Sequence, residues 1–314
     1  MVKKMKVIFM GTHQFAVKVL EKILERHEVV LVVTQPDSLV GRKKILTPSA
    51  VKECALKHGL EVFQPVKLND EREKILSTDC DLIVTAAYGQ FVGMKILNHP
   101  RLGAINVHGS LLPKHRGGAP IQRAIINGDK KTGVTIMYMA KKMDAGDMIA
   151  QRECEILDSY SNGDLFEVLS QMGSEMILEV LDQIEKGTNP RIAQNEEEAT
   201  FSYNLTKEDE LVTFDKDARC VFNQIRGLNP NPGAYFMING MKFKVFSSAI
   251  SERKHNKETG LITNVTKTSF DVTCTNNSLI TISELVPEGK RLMSVRDFLN
   301  GAGRNIIVEG QRLN

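Results

Sequence analysis

The first half of the chain alternates short runs rich in Val and Ile with segments of helical period. That rhythm restricts the fold more than any other feature of the sequence. Lys6–Met10, Glu28–Thr34, Asp81–Ala86 and Ala104–Val107 read as buried parallel strands, since a strand covered on both faces needs no polar alternation. Gln14–Arg26 and Pro48–His58 read as the helices between them, with Thr47-Pro48 predicted as a cap followed by proline in the first turn. A βαβ succession of this kind predicts an α/β fold, a Rossmann-like doubly wound open sheet. Thr132–Met139 and Met148–Ile156 add two strands joined by the turn-like Asp144-Ala145-Gly146-Asp147. A long helix then starts at Ser161-Asn162-Gly163-Asp164 and runs to about Lys186.

The character changes over Gly187–Thr206, where Gly, Pro, Asn and an acidic run replace periodicity. After a helical stretch near Ala218–Ile225, short strands at Ala234–Ile238, Lys242–Val245, Gly260–Val265, Ser269–Cys274 and Leu279–Leu285 predict a small barrel. The 314 residues therefore divide into a first domain at 1–189, a linker at 190–206 and a second domain at 207–314. With 41 basic and 38 acidic side chains the chain is no strongly basic coat protein for nucleic acid. Residues 201–314 nevertheless hold 15 Lys/Arg against 12 Asp/Glu, the whole of the net +3, a hint of a polyanionic partner. The five cysteines are scattered and form no CxxC, so neither a disulfide framework nor a zinc site is expected. The apolar run in MVKKMKVIFMG is too short for a signal peptide, and no stretch reaches the roughly 20 apolar residues of a membrane span. We expect a cytoplasmic protein without membrane contact.

In an open α/β sheet, ligands gather at the carboxyl ends of the strands. Asn106 and His108 alternate at the end of Ala104–Val107 and so can face one side, and Asp144 follows the strand Thr132–Met139. An amide that donates to an oxyanion, an imidazole that moves a proton near neutral pH and a carboxylate that stabilises the protonated ring suit acyl transfer. No Ser or Cys nucleophile stands with them, which favours attack by an external amine. Each residue also fits a structural role: Asp144 a turn, Ser110 to Pro113 a strand exit, Gly117-Gly118-Ala119-Pro120 a helix start. The early Gly11-Thr12 turn lacks GxGxxG, so the sequence does not point to a dinucleotide.

The order of the segments narrows these options. NVHGSLLPKHRGGAPIQRAIINGDKKTGVTIMYMAKKMDAGD, residues 106–147, resembles without a gap the signature of the 10-formyltetrahydrofolate-dependent formyltransferases. The resemblance implies that Asn106, His108 and Asp144 are catalytic and that Ser110, Leu111, Leu112 and Pro113 line the folate site. It also implies that the backbone of Gln90, Phe91 and Val92, in AAYGQFV, meets the pterin. Members of the family act on glycinamide ribonucleotide, on amino-sugar nucleotides or on methionyl-tRNA. MGTHQFAVKVLEKI, VVTQPDSLVGRKK, YNLTKED, IRGLNPNPGAYFMINGMKFKV and GKRLMSVRDFLNG resemble the branch that acts on tRNA. His13, Gly109, His115 and Asn231 stand where that branch usually has Pro, Ala, Trp and Trp. The resemblance thus implies metal-free formyl transfer from 10-formyltetrahydrofolate to the amine of initiator methionyl-tRNA. It implies an OB-like barrel that helps hold the tRNA, and a loop, Ser38–Thr47, that enters the acceptor stem with Arg42, Lys43 and Lys44. We expect a monomer. An amino-sugar nucleotide formyltransferase and a non-catalytic RNA- or folate-binding protein are the alternatives. The intact Asn/His/Asp set argues against the second.

Overall fold

The structure is a computed structural model that describes residues 4–41 and 44–314. The chain forms two compact units, each assembled from three stretches. The first holds the residues up to Pro120, Lys131–Glu155 and Phe166–Tyr203; the second holds Ile121–Lys130, Ile156–Leu165 and Asn204–Asn314.

The strands of the first unit are β1 (Lys6–Gly11), β2 (Glu28–Val33), β3 (Ser38–Val40), β4 (Ile45–Thr47), β5 (Val62–Phe63), β6 (Leu82–Ala86), β7 (Ala104–His108), β8 (Lys131–Tyr138) and β9 (Met148–Glu155). Seven of them make one sheet in the order β5-β2-β1-β6-β7-β8-β9. Pairing is parallel through β7 and antiparallel for β8 and β9. The parallel strands alone run 3-2-1-4-5, so the winding reverses between β1 and β6. That reversal leaves a crevice at the strand carboxyl ends. This is the expected Rossmann-like sheet, with β8 and β9 added as an antiparallel hairpin. The outer strand β9 exposes Gln151, Arg152 and Glu153, which suits a sheet edge.

Helices α1 (Gln14–Leu24), α2 (Ala50–Lys57), α3 (Glu73–Leu76), α4 (Met94–Leu97) and α5 (Pro120–Asn127) connect the strands, and α6 (Asn162–Lys186) follows β9. α1 buries Phe15, Ala16, Val19, Leu20 and Ile23, a stripe at helical spacing. α2 begins later than the sequence suggests. Ser49, not Thr47, is its cap, accepting the Lys52 N–H at 3.0 Å, and Pro48 precedes the cap. At the start of α6, Asp164 reaches back to the Ser161 N–H at 2.9 Å. The stretch expected as a loop at Ser38–Thr47 is a ribbon, β3 paired with β4, with Leu39, Val40, Ile45 and Leu46 exposed. Lys44 is exposed in its turn with φ +47°; Arg42 and Lys43 lie outside the described residues.

The second unit contains α7 (Lys207–Glu210), α8 (Ala218–Leu228), β10 (Tyr235–Ile238), β11 (Met241–Ile250), β12 (Ile262–Thr263), β13 (Phe270–Thr273), β14 (Leu279–Pro287), β15 (Met293–Ser294) and α9 (Val295–Leu299). Its antiparallel sheet runs β10-β11-β14-β13-β12, with β15 on β14. Register shifts between Val245 and Ser248 bend β11, and the sheet curls as a half-barrel, the small barrel-like fold expected from the sequence. Phe236, Phe243 and Phe270 fill its core, and α8 adds Val221, Ile225 and Leu228. No helix among the described residues is long and apolar enough to cross a membrane.

Residues 121–130 and 156–165 join this unit by identifiable contacts. Ile126 packs on its core. The buried Arg226 sends Nη1 to the carbonyls of Leu157 and Tyr160 at 2.9 and 3.0 Å and Nε to Asn223 Oδ1 at 3.0 Å. Arg226→Met keeps the bulk and removes the donors, leaving these acceptors without their partner. We expect a loss of about 3 kcal/mol in urea unfolding, the scale of hydrogen bonds from a buried charged group. A change below about 0.5 kcal/mol, the size of a neutral surface substitution, would refute this account of residues 156–165.

Candidate active site

β6 and β7 end side by side, and Thr85 stands opposite Asn106. The Thr85 hydroxyl donates to Asn106 Oδ1 at 2.8 Å. That bond leaves the Asn106 Nδ2 hydrogens as donors, with no acceptor on them among the described residues. Asn106 and His108 share one face of β7, as the alternation requires.

His108 is 6% exposed, and its Nε2 lies 2.9 Å from the carbonyl oxygen of His115. A carbonyl only accepts, so Nε2 carries the hydrogen. The neutral ring then has its lone pair on Nδ1, which faces Asp144 Oδ2 at 3.8 Å. That separation is an ion-pair distance and longer than a hydrogen bond. The ring is therefore oriented by a backbone carbonyl. The carboxylate is placed to stabilise the ring once Nδ1 is protonated.

Asp144 sits in the β8–β9 connection with φ +51°. Its Oδ2 accepts the Gly117 N–H at 2.8 Å, and its carbonyl accepts Gln194 Nε2 at 2.9 Å. Both glycines near it are required. A Cβ on Gly117, at φ +120°, would lie 2.6 Å from Ser202 O, and one on Gly146 would lie 1.9 Å from Tyr138 O. The structure thus brings Asn106, His108 and Asp144 together. It adds His115 and Gly117, which lie inside the 106–147 signature, and Thr85 and Gln194, which lie outside it.

Arg116 is fully buried beside this turn. Its Nε and Nη2 donate to Gln194 Oε1 at 3.1 and 2.8 Å, and Nη2 also meets Glu196 Oε1 at 2.7 Å. Glu196 is in addition hydrogen-bonded by Lys142. The Arg116 guanidinium, followed by the Lys142 ammonium, holds the Glu196 carboxyl down at about 2.

The residues assigned to the folate site are spread over two places. A cleft of about 790 Å³ opens where β1 and β6 end, lined by Thr12, His13, Gln35, Ser49, Tyr88 and Gln90 among others. Gln90 is also a structural linker, bonding the Leu68 N–H, Gln35 and Pro65 O. Phe91 is 61% exposed, while Val92 points into the core and offers the cleft at most its backbone. Ser110 turns its hydroxyl inward to Lys114 O at 2.7 Å, and Leu112 is buried with its N–H on Thr135. Leu111 and Pro113 are half-buried in the same turn after β7. Away from the site, Glu21, Cys54 and His58 bring possible metal donors within 4.8 Å. Burial and then Glu21 push the Cys54 thiol up, which opposes the thiolate a metal needs.

The family described as "Formyl transferase" matches residues 3–181, and "Formyl transferase, C-terminal domain" matches residues 204–303. The chain is 44% identical over 308 residues to the methionyl-tRNA formyltransferase of Latilactobacillus sakei, covering 97% of each protein. It is 45% identical over 310 residues to that of Staphylococcus aureus strain RF122, covering 98% of this chain and 99% of the relative. Among solved structures, the sugar 3N-formyltransferase WlaRD superposes with a TM-score of 0.69 at 17% identity, over 92% of this chain and all of the other. HypX from Aquifex aeolicus in complex with tetrahydrofolic acid gives 0.67 at 16% identity, over 97% of this chain and 48% of that one. At such identities the structural likeness speaks to the fold alone.

The depressed Glu196 carboxyl gives a pH-dependent test of the Arg116 cluster. Its value in the folded chain, about 2, lies below the ordinary 4.5, so its contribution to stability is complete above 4.5 and is lost as pH falls through 2. We expect Glu196→Gln to melt below the parent by a constant margin above pH 4.5, with the gap narrowing as pH drops toward 2. Thermal melts over that range decide it; a margin that ignores pH would mean that the carboxylate charge does not stabilise Arg116.

Proposed function

The chain belongs to the formyl transferase family, and from that premise we propose that it moves the formyl group of 10-formyltetrahydrofolate to the amino group of initiator methionyl-tRNA. The observation that carries this reading is sequence identity of 44–45% to methionyl-tRNA formyltransferases over almost the whole length, second unit included. The sugar N-formyltransferases share the fold at 17–18% identity, which makes an amino-sugar nucleotide the weaker choice of acceptor.

In this reaction the amine nitrogen attacks the formyl carbon, the bond from that carbon to N10 breaks, the amine loses a proton and N10 gains one. Negative charge develops on the formyl oxygen in the tetrahedral intermediate. The unengaged Nδ2 hydrogens of Asn106 support a role in binding that oxygen. The Nδ1 lone pair of His108 is suited to take the amine proton, and Asp144 to stabilise the resulting imidazolium. The cleft at the β1/β6 reversal has the volume of a small-molecule site and is the candidate for the folate. The excess of Lys/Arg over Asp/Glu in residues 201–314 supports tRNA backbone contact by the second domain. The β3–β4 ribbon, with Lys44 in its turn and Arg42 and Lys43 adjoining, is the candidate element for the acceptor stem. The reading further takes the protein as a cytoplasmic monomer that uses no metal.

One assay separates the acceptors: formylfolate-dependent modification of initiator methionyl-tRNA measured beside an amino-sugar nucleotide. We expect transfer to the tRNA alone; transfer only to the sugar would reverse the assignment. Asn106→Ala and His108→Ala should each lower kcat by about a hundredfold, the scale of a lost oxyanion donor or general base. Their thermal melts should stay near the parent's. Parental turnover in a folded variant would remove that residue from the mechanism.

A further inference from the structure

Gln194 lies between the two family matches, in the stretch that reads as a linker. It nevertheless belongs to the first unit and touches the turn that carries Asp144. Its Nε2 donates to Asp144 O at 2.9 Å and to Gly146 O at 2.8 Å. Its Oε1 accepts two bonds from the buried Arg116 guanidinium, at 3.1 and 2.8 Å. Only a side-chain amide can accept from a cation on one end and donate to two carbonyls on the other; a carboxylate has no hydrogen to donate and an ammonium has no lone pair.

The residue after Arg116 completes the clamp. Gly117 N–H holds the Asp144 carboxylate at 2.8 Å while Gln194 holds the Asp144 carbonyl. The backbone of Asp144 is left-handed, a conformation that a non-glycine residue keeps only when its surroundings fix it. We infer that Gln194, braced by Arg116, is a positioning residue for the transfer reaction: it fixes the Asp144 turn so that the carboxylate stays against Nδ1 of His108. It need not touch either substrate. This inference rests on the reading of Asp144 given above.

The test compares Gln194→Leu and Gln194→Glu in the full chain, each alone and combined with Asp144→Asn. kcat, the KM for formylfolate, the KM for methionyl-tRNA and the melting temperature are measured for all. Gln194→Glu keeps the shape and the Arg116 contact but turns an oxygen toward two carbonyl oxygens. A misplaced catalytic group costs about a hundredfold, so both single variants should lose about that much in kcat, with each KM within about twofold of the parent. In the Asp144→Asn background neither change should lower kcat further, because residues that act as one unit are not additive. A folded Gln194→Glu variant with parental kcat overturns the inference, and so does an equal loss with and without Asp144→Asn. If Gln194→Leu does not fold, the Glu variant carries the comparison. Parental turnover in Asp144→Asn alone would instead remove Asp144 from the site, and Gln194 with it.

Discussion

Irregular backbone packed against a sheet must still find partners for its peptide N–H and C=O groups, and the site rests on how that requirement is met. The segments 109–119 and 139–147 leave β7 and β8 without regular structure of their own. A third segment, far along the chain, supplies several of the hydrogen bonds of these segments and of the start of β9. Ile192 exchanges two bonds with Met148, at 2.8 and 3.0 Å. The Arg116 N–H goes to Thr200 O at 2.8 Å, the Ser202 N–H to Arg116 O at 2.7 Å and the Ala119 N–H to Ser202 O at 3.1 Å. His115 lies in the middle of this pairing, with its N–H on Thr200 Oγ1 and its Nδ1 2.7 Å from Ser202 Oγ. Its carbonyl is the group that sets the tautomer of His108. The imidazole therefore inherits its orientation from a backbone pairing that residues 200–202 complete.

The electrostatics of the same region follow from burial. Between exposed side chains an ion pair contributes at most about 1 kcal/mol. Arg116 is fully buried, so its partners matter more for what their loss would leave: a charge out of water with nothing to offset it. Nη1 already has no hydrogen-bond partner among the described residues. The remaining nitrogens are divided between a carboxylate, Glu196, and a neutral amide, Gln194. Charge balance and geometry are thus assigned to different residues. Glu196 offsets the charge at the surface, while Gln194 carries the orientation of the guanidinium to the Asp144 turn.

The parallel strands, α1 and the three polar side chains were legible in the sequence for physical reasons. Strands covered on both faces leave unbroken apolar runs, and α1 leaves a 3.6-residue stripe. Asn106, His108 and Asp144 stood out as polar side chains at or after strand ends, and the fold brings them together. What was illegible was short or made of backbone. β5, α3 and α4 span two to four residues and show no period. Ser49 displaced Thr47 as cap because both residues suit the position and only the chain path chooses. Residues 190–203 read as a linker because their order comes from hydrogen bonds to loops, through single residues such as Gln194, Thr200 and Ser202, without a buried apolar face. Val92 keeps its side chain in the core, so the part expected of it at the pterin falls to its backbone alone.

Asp144 is where the structural and the chemical readings of the sequence compete most directly. A turn that needs φ > 0 is best served by glycine; an aspartate there costs about 1 kcal/mol or more. Aspartate is commonly placed in turns because its carboxylate can bond the backbone a residue or two away. In this turn it does not: the carboxylate is held by Gly117, 27 positions back in the chain, and faces His108. The turn itself is secured by other means, through the tight fit of Gly146 against Tyr138 and the two bonds from Gln194. A carboxylate that does not stabilise its own turn is accounted for by what it faces. That geometry favours the chemical reading of Asp144, and it explains why so much surrounding backbone is committed to one strained residue.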